Sequence, residues 1–336
     1  MSESVPDALK RVLFYYGLEP IAIRPHGKRF QIFTKDNIYS LKKVTSKQNL
    51  SRSLQTRNKL LALSLNVPPI ITTTDGLRYV TVNGETYYVT PWLEEVPFSN
   101  QRKSDILVDY LSYIHHATVE LEPIEDPRKV DEGLEHLERR WKGQLDGLTA
   151  FVQRSDHRIY PSPFEQLVAA HYAMFVQKTH RAIQQLEVWR EHVKEMPMQR
   201  LVQCLGKPDL SHLIFHARGP MVINMEYGGL DTPIRDLATM FDSPHFHSRD
   251  WVKSLNLYET TFPLRESEKE LLLGFLHYPG SIFETVMAYE SSELSNKELH
   301  FIEQFERIHH QEPKRAALIE ALAAQKEKDQ QSDETP

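Results

Sequence analysis

Two periods of hydrophobic residues divide the chain. A short helical pattern over residues 5–16 gives way to alternation in Phe30-Gln31-Ile32-Phe33 and Ile38-Tyr39-Ser40-Leu41, and the polar turn Lys35-Asp36-Asn37 between them predicts a β-hairpin. Over 49–65, Leu50, Leu54, Leu60, Leu61, Leu63 and Leu65 recur mostly at helical spacing until Pro68-Pro69 forbids continuation. A second hairpin is predicted from 77–82 and 86–90 around the turn residues Asn83-Gly84, leading into Pro91-Trp92-Leu93.

Beyond Pro97 the period lengthens. Ile106, Leu107, Tyr110, Leu111 and Ile114, then 134–152, then 164–193, read as amphipathic helices. One β-like island interrupts them, Leu213-Ile214-Phe215 and Met221-Val222-Ile223 around a turn at 216–220, and further helices are predicted at 266–277, 296–310 and 313–326. The pattern predicts an α+β protein: a small β-rich lobe over 1–95, a larger, mainly helical lobe over 96–322, and a polar, disordered tail over 323–336.

Composition narrows the function classes. With 336 residues, 40% hydrophobic and 10% aromatic, the chain can bury a core large enough for two lobes. Forty basic against 46 acidic residues give a net charge of −6, which offers no global attraction to nucleic acid or an anionic membrane. Cys204 is the only cysteine, so neither an intramolecular disulfide nor a cysteine-rich zinc site is possible, and a reducing compartment is expected. No run of about 18 apolar residues and no apolar stretch behind the N-terminal charges occurs, so neither a membrane span nor a signal peptide is expected. Among 16 histidines the densest groups, His115-His116, His245-Phe246-His247 and His309-His310, lack metal-ligand spacing with a third partner.

Three strings carry candidate chemistry in order: Lys207-Pro208-Asp209-Leu210 through Ile214, then Ile223-Asn224-Met225-Glu226, then Pro233-Ile234-Arg235-Asp236-Leu237-Ala238. Preceded by two hairpins, the linker Pro91-Trp92 and a helix ending in His115-His116, they resemble the aminoglycoside phosphotransferase and choline kinase group, with its bilobal protein-kinase-like fold. More closely, the chain is similar to the CotS-type endospore coat-associated proteins over roughly residues 5–320.

The resemblance assigns roles position by position. Asp209 stands at the base that accepts the hydroxyl proton of the phosphoryl acceptor. The first metal position, an asparagine in active relatives, is Ile214, and the second, an aspartate, is Asn224, with Glu226 as the available substitute. Lys42 is the phosphate lysine, but residues 45–67 contain no acidic residue to position it. Gly27 is the only glycine in the phosphate-covering segment 24–29, Lys207 and Pro208 replace the histidine and glycine before the base, and Asp236 either caps a helix or ties down the loop.

These departures imply a catalytically degenerate kinase-like protein. On this reading no metal and no cofactor are expected, and the resemblance to coat-associated proteins implies a chain made in the mother-cell cytoplasm and deposited on the spore coat among other coat proteins. Two alternatives stay open at this stage. One is an active ATP- and Mg²⁺-dependent small-molecule phosphotransferase using Asp209, Lys42, Asn224 and Glu226. The other is a nucleotide-binding regulator without turnover, built on Lys42 and residues 89–93.

Overall fold

The computed structural model describes residues 7–27, 29–44, 46–217, 219–292 and 298–333. Along the chain these form α1 (Asp7–Tyr15), β1 (Ala22–His26), β2 (Arg29–Phe33), β3 (Ile38–Val44), α2 (Lys47–Ala62), β4 (Val80–Val82), β5 (Glu85–Pro91), α3 (Asn100–Thr118) and β6 (Glu120–Pro123). Then come α4 (Pro127–Asp156), α5 (Pro163–Glu195), β7 (Met198–Cys204), β8 (Leu213–His216), β9 (Gly219–Val222), β10 (Gly229–Asp231) and α6 (Pro233–Asp242). The helices α7 (Trp251–Thr261), α8 (Glu266–His277), α9 (Gly280–Glu290), α10 (Glu298–His309) and α11 (Glu312–Asp333) complete the order. The chain separates into two compact units, residues 1–99 with 210–229, and 100–209 with 230–336. The island at 213–223, placed by its sequence position in the helical lobe, therefore clusters with the β-rich unit.

In the first unit five antiparallel strands run in the order β1-β2-β3-β5-β4. Alternation decides what each face carries, because successive side chains of a strand point to opposite faces. Ile32, Leu41, Tyr87, Val89, Val80 and Val82 share the face buried against Leu9, Val12 and Leu13 of α1 and Tyr16 just after it. Each such side chain contributes about 1.5–3 kcal/mol by leaving water. The Tyr16 hydroxyl donates to the Tyr87 carbonyl at 3.2 Å, which fixes the helix on the sheet. The opposite face carries Arg29 and Lys42, directly paired across β2 and β3. The β8–β9 hairpin joins this unit through Val222 N–H to the Asn66 carbonyl at 3.1 Å and Val96 N–H to the Phe215 carbonyl at 2.6 Å.

The second unit is a helical body. α5 begins with a capping box in which the Ser162 hydroxyl accepts from Glu165 N–H and the Glu165 carboxylate accepts from Ser162 N–H, with Pro163 in the first turn. Trp141 of α4 stacks on Tyr278 at 4.2 Å, and Phe164 packs on Tyr289 at 4.5 Å. Arg315 of α11, 1% exposed, pairs with Asp242 at 2.9 Å and lies over Trp251. Strands β6 and β7 pair antiparallel, and β7 packs on α3 and α6.

Two expectations change. α11 continues to Asp333, past residue 323 where a disordered tail was expected, because Leu322 is buried and Lys326 pairs with Glu270 of α8; residues 334–336 lie outside the described range. The segment 24–29 is not one covering loop, since Arg24, Pro25 and His26 belong to β1, Gly27 takes a positive φ of 60° and Arg29 opens β2; Lys28 lies outside the described residues.

Candidate functional site

Lys42 sits on β3 one residue beyond the buried Leu41, so pleating turns it to the face away from α1. Its Nζ donates to Asn224 Oδ1 at 2.7 Å and forms an ion pair with Glu226. The lysine and glutamate side chains are 21% and 11% exposed, so the pair is largely shielded from water. Glu226 reaches Lys42 although the strand does not continue through it. Asn224 adopts the left-handed region (φ 58°, ψ 54°), which asparagine tolerates better than most residues, and a 3₁₀ turn over Met225–Tyr227 follows. That reversal converges Asn224 and Glu226 on the ammonium. The carboxylate partner of Lys42 thus comes from the 224–227 turn.

α2 supplies an arginine instead. Arg57 is 7% exposed, and its Nη2 has no hydrogen-bond partner. Burial pushes its guanidinium down to about 10, with Tyr88 opposing and Arg78 reinforcing that fall. Ile214, at the first expected metal position, stands on β8 opposite Met221 of β9 and presents only hydrocarbon. Its side chain has no oxygen to offer a cation.

In the helical unit Asp209 is 6% exposed and accepts a hydrogen bond from the Ser243 hydroxyl just after α6. The Ser243 carbonyl accepts from Gln311 Nε2 at 3.2 Å, which ties this end of α6 to α11. Nearby His247 is pushed down by burial and by the charges of His245 and Lys314, with Asp209 opposing.

Asp236 is fully buried, and Thr232, not Asp236, caps α6. Its carboxylate accepts from the backbone N–H of Leu205 and of Gly206, both at 2.7 Å, so it fixes the loop that precedes Asp209. His115 Nε2 lies 3.3 Å from Asp236 and its Nδ1 lies 2.6 Å from the Tyr258 hydroxyl. An ionised carboxylate only accepts, so the tautomer that satisfies both partners protonates Nε2 toward Asp236 and lets Nδ1 accept from Tyr258. The Cys204 thiol donates to the Thr232 carbonyl at 3.3 Å, and burial together with Asp236 and Asp231 pushes it far up, so it stays protonated. His115, Cys204 and Asp236 have ligand-type atoms within 4.8 Å of one another, but both Asp236 oxygens already serve backbone donors. This arrangement positions a loop.

Residues 10–322 match the family described as "Spore coat putative kinase YutH". The chain belongs to this family. Its fold is that of solved phosphotransferases. An aminoglycoside phosphotransferase from Alicyclobacillus acidocaldarius superposes with a TM-score of 0.69 at 14% identity, covering 97% of both chains. A spectinomycin phosphotransferase in complex with ADP and spectinomycin gives 0.60 at 12% identity, covering 90% of this chain and 94% of that one. An amicoumacin kinase bound to AMP-PNP and Ca²⁺ gives 0.55 at 11%, covering 95% and 94%. Membership of the family and the protein-kinase-like fold agree with the resemblance carried by the three strings. No helix among the described residues is long and apolar enough to cross a membrane.

Sequence reasoning singled out Lys42, Asn224 and Glu226 and left their mutual contact open. It missed Arg57, Tyr258 and the join of His115 with Cys204. Arg57 carried no distinguishing signal, because α2 also holds Lys47, Arg52 and Lys59 and the pattern does not say which of these cations is buried.

Proposed function

We propose that this chain is a catalytically silent kinase-like protein of the spore coat, acting by contact with other coat proteins. The observation that carries this reading is the engagement of Lys42 by the residues that stand where the second metal would be held. Mg²⁺ demands near-ideal octahedral oxygen ligation and usually takes carboxylates. Here Ile214 offers no oxygen, Asn224 is neutral and already accepts from Lys42, and Glu226 is spent on the same lysine. This donor set does not fit Mg²⁺. Asp209, held by Ser243, then serves to shape its loop. Family membership supports the coat assignment, and the partners are expected among proteins deposited there.

The test is turnover by the full chain. With ATP, Mg²⁺ and a panel of aminoglycoside and amino-alcohol acceptors, phosphate release and transfer should stay at the blank, and Mg²⁺ should add nothing to the unfolding midpoint measured with ATP in EDTA. Mg²⁺-dependent turnover that disappears in Asp209→Asn would replace this reading with an active small-molecule kinase.

A further inference from the structure

The sheet of the β-rich unit ends in β4, which pairs with β5 on one side and, among the described residues, with no strand on the other. The two-residue turn Asn83-Gly84, with φ of 53° and 80°, makes Val82 and Glu85 the hydrogen-bonded pair that closes the hairpin. Opposed pairs alternate, so Thr81 and Thr86 form a non-hydrogen-bonded pair, and their hydroxyls meet at 3.0 Å. The N–H and C=O of Thr81 therefore point outward from the sheet. Beside this edge lies a groove of about 480 Å³, lined by Lys10, Arg11, Phe14 and Tyr15 of α1 and by Thr81 and Val82 of β4.

α1 commits Leu9, Val12 and Leu13 to the sheet and leaves the adjoining residues at the groove. Phe14 is 80% exposed there and Tyr15 44%, with their rings edge-on at 6.3 Å. An aromatic ring left in water beside an open strand edge is the kind of surface that a partner covers. The free charge around it has one sign. Lys10 has only the exposed Asp7 at 3.5 Å, Arg11 makes no ion pair among the described residues, and Glu85 of the same hairpin is taken by Lys43 and the Tyr87 hydroxyl. We propose that this groove docks an extended segment of a partner protein, added beside β4, that sets an apolar side chain on Phe14 and carboxylates against Lys10 and Arg11. Side chains alternate across a strand, so the segment carries these acidic and apolar residues at every second position. The inference deepens the proposed contact role and rests on it.

The probe is a dye-labelled, end-blocked peptide in which Glu, Phe and Glu alternate with Thr, titrated with the full chain and read by anisotropy. It should bind, and more weakly as salt is raised. Arg11→Glu and Phe14→Ser should each weaken binding at least about tenfold, with the unfolding midpoint kept because both side chains face water. A peptide residue paired with Thr81 lies on the face of the sheet away from α1, so N-methylation of the Thr residues removes the N–H groups that the Thr81 carbonyl would accept and should abolish binding, as should Lys in place of Glu. No binding, equal binding of the Glu and Lys peptides, or unchanged binding by both variants would overturn the groove; with turnover still at the blank the contact role would stand without it, whereas Mg²⁺-dependent turnover would remove the role itself. Self-association of the full chain that Arg11→Glu abolishes would give the groove to a second copy, and peptide binding gained only on deletion of residues 1–6 would give it to the chain's own N-terminus. Either result would overturn the partner assignment.

Discussion

The contact of Lys42 with Glu226 fixes what either substitution should do. Removing the carboxylate leaves a mostly shielded ammonium with Asn224 alone, whereas removing both charges leaves nothing unpaired. Discounted for the water that still reaches the pair, a double-mutant cycle of Lys42→Met and Glu226→Gln should give a coupling of about 1 kcal/mol in urea unfolding. A coupling near zero would mean that the two groups do not interact in solution. Asp236 sits at a costlier position, because it serves two backbone donors and His115 at once. Asp236→Ala should cost about 3 kcal/mol or more, while Asp236→Asn, which can accept from only one of the two N–H groups with its carbonyl oxygen, should fall between. The string Asp-Leu-Ala marks Asp236 in the sequence, yet no spacing says that residues 115, 204 and 258 meet it. Those contacts depend on how α3, β7, α6 and α7 pack, and a one-dimensional pattern carries no such information.

At the scale of elements, legibility followed amphipathicity. Both hairpins of the β-rich unit could be read because Ile32, Leu41, Tyr87 and Val89 alternate with polar residues, and α8 could be read because its leucines, Leu271, Leu272, Leu273 and Leu276, are buried. β1 was missed because its Ala-Ile-Arg-Pro-His run has a proline and lies at the sheet edge, where three of its five residues are exposed. β6 was missed for a related reason, since all four of its residues face solvent and no burial imposes a period. α11 was ended early because its last turns are polar, although Gln, Lys and Glu are good helix formers and Lys326 has a buried partner in Glu270. Local chemistry is clearest at the start of α5, where the reciprocal Ser162–Glu165 bonds satisfy two end donors. Ser162→Ala should cost about 1 kcal/mol, read as a lower urea midpoint of the helical unit, while Ser162→Asp should recover most of it. Equal loss in both variants would assign the effect to the Ser162–Tyr289 contact rather than to the cap.

The charge inside the helical unit decides how the whole molecule answers to acid. Burial pushes the imidazole of His277, at the end of α8, down from 6.5 to about 4, and the charges of Arg181, Lys178 and Arg315 reinforce that fall. Burial also lowers His247 and His309, so the three move in the same direction. The folded imidazole therefore refuses a proton that the unfolded chain accepts. Its contribution is fully present above pH 6.5 and is lost as pH falls from 6.5 toward 4. Between pH 7 and pH 5 this one group should remove about 1 kcal/mol, after discounting for its partial exposure. Carboxylates titrate at lower pH, and wild type and variant share them, so the difference between the two isolates the histidine. The measurement is the urea midpoint of wild type and His277→Gln at both pH values. Wild type should lose more stability than the variant on acidification, since glutamine takes up no proton in either state. Equal losses would show that the cations around His277 are screened by Asp242 and Glu312 well enough for the folded imidazole to titrate normally, and the acid response of the helical unit would then rest on His247, His309 and the carboxylates.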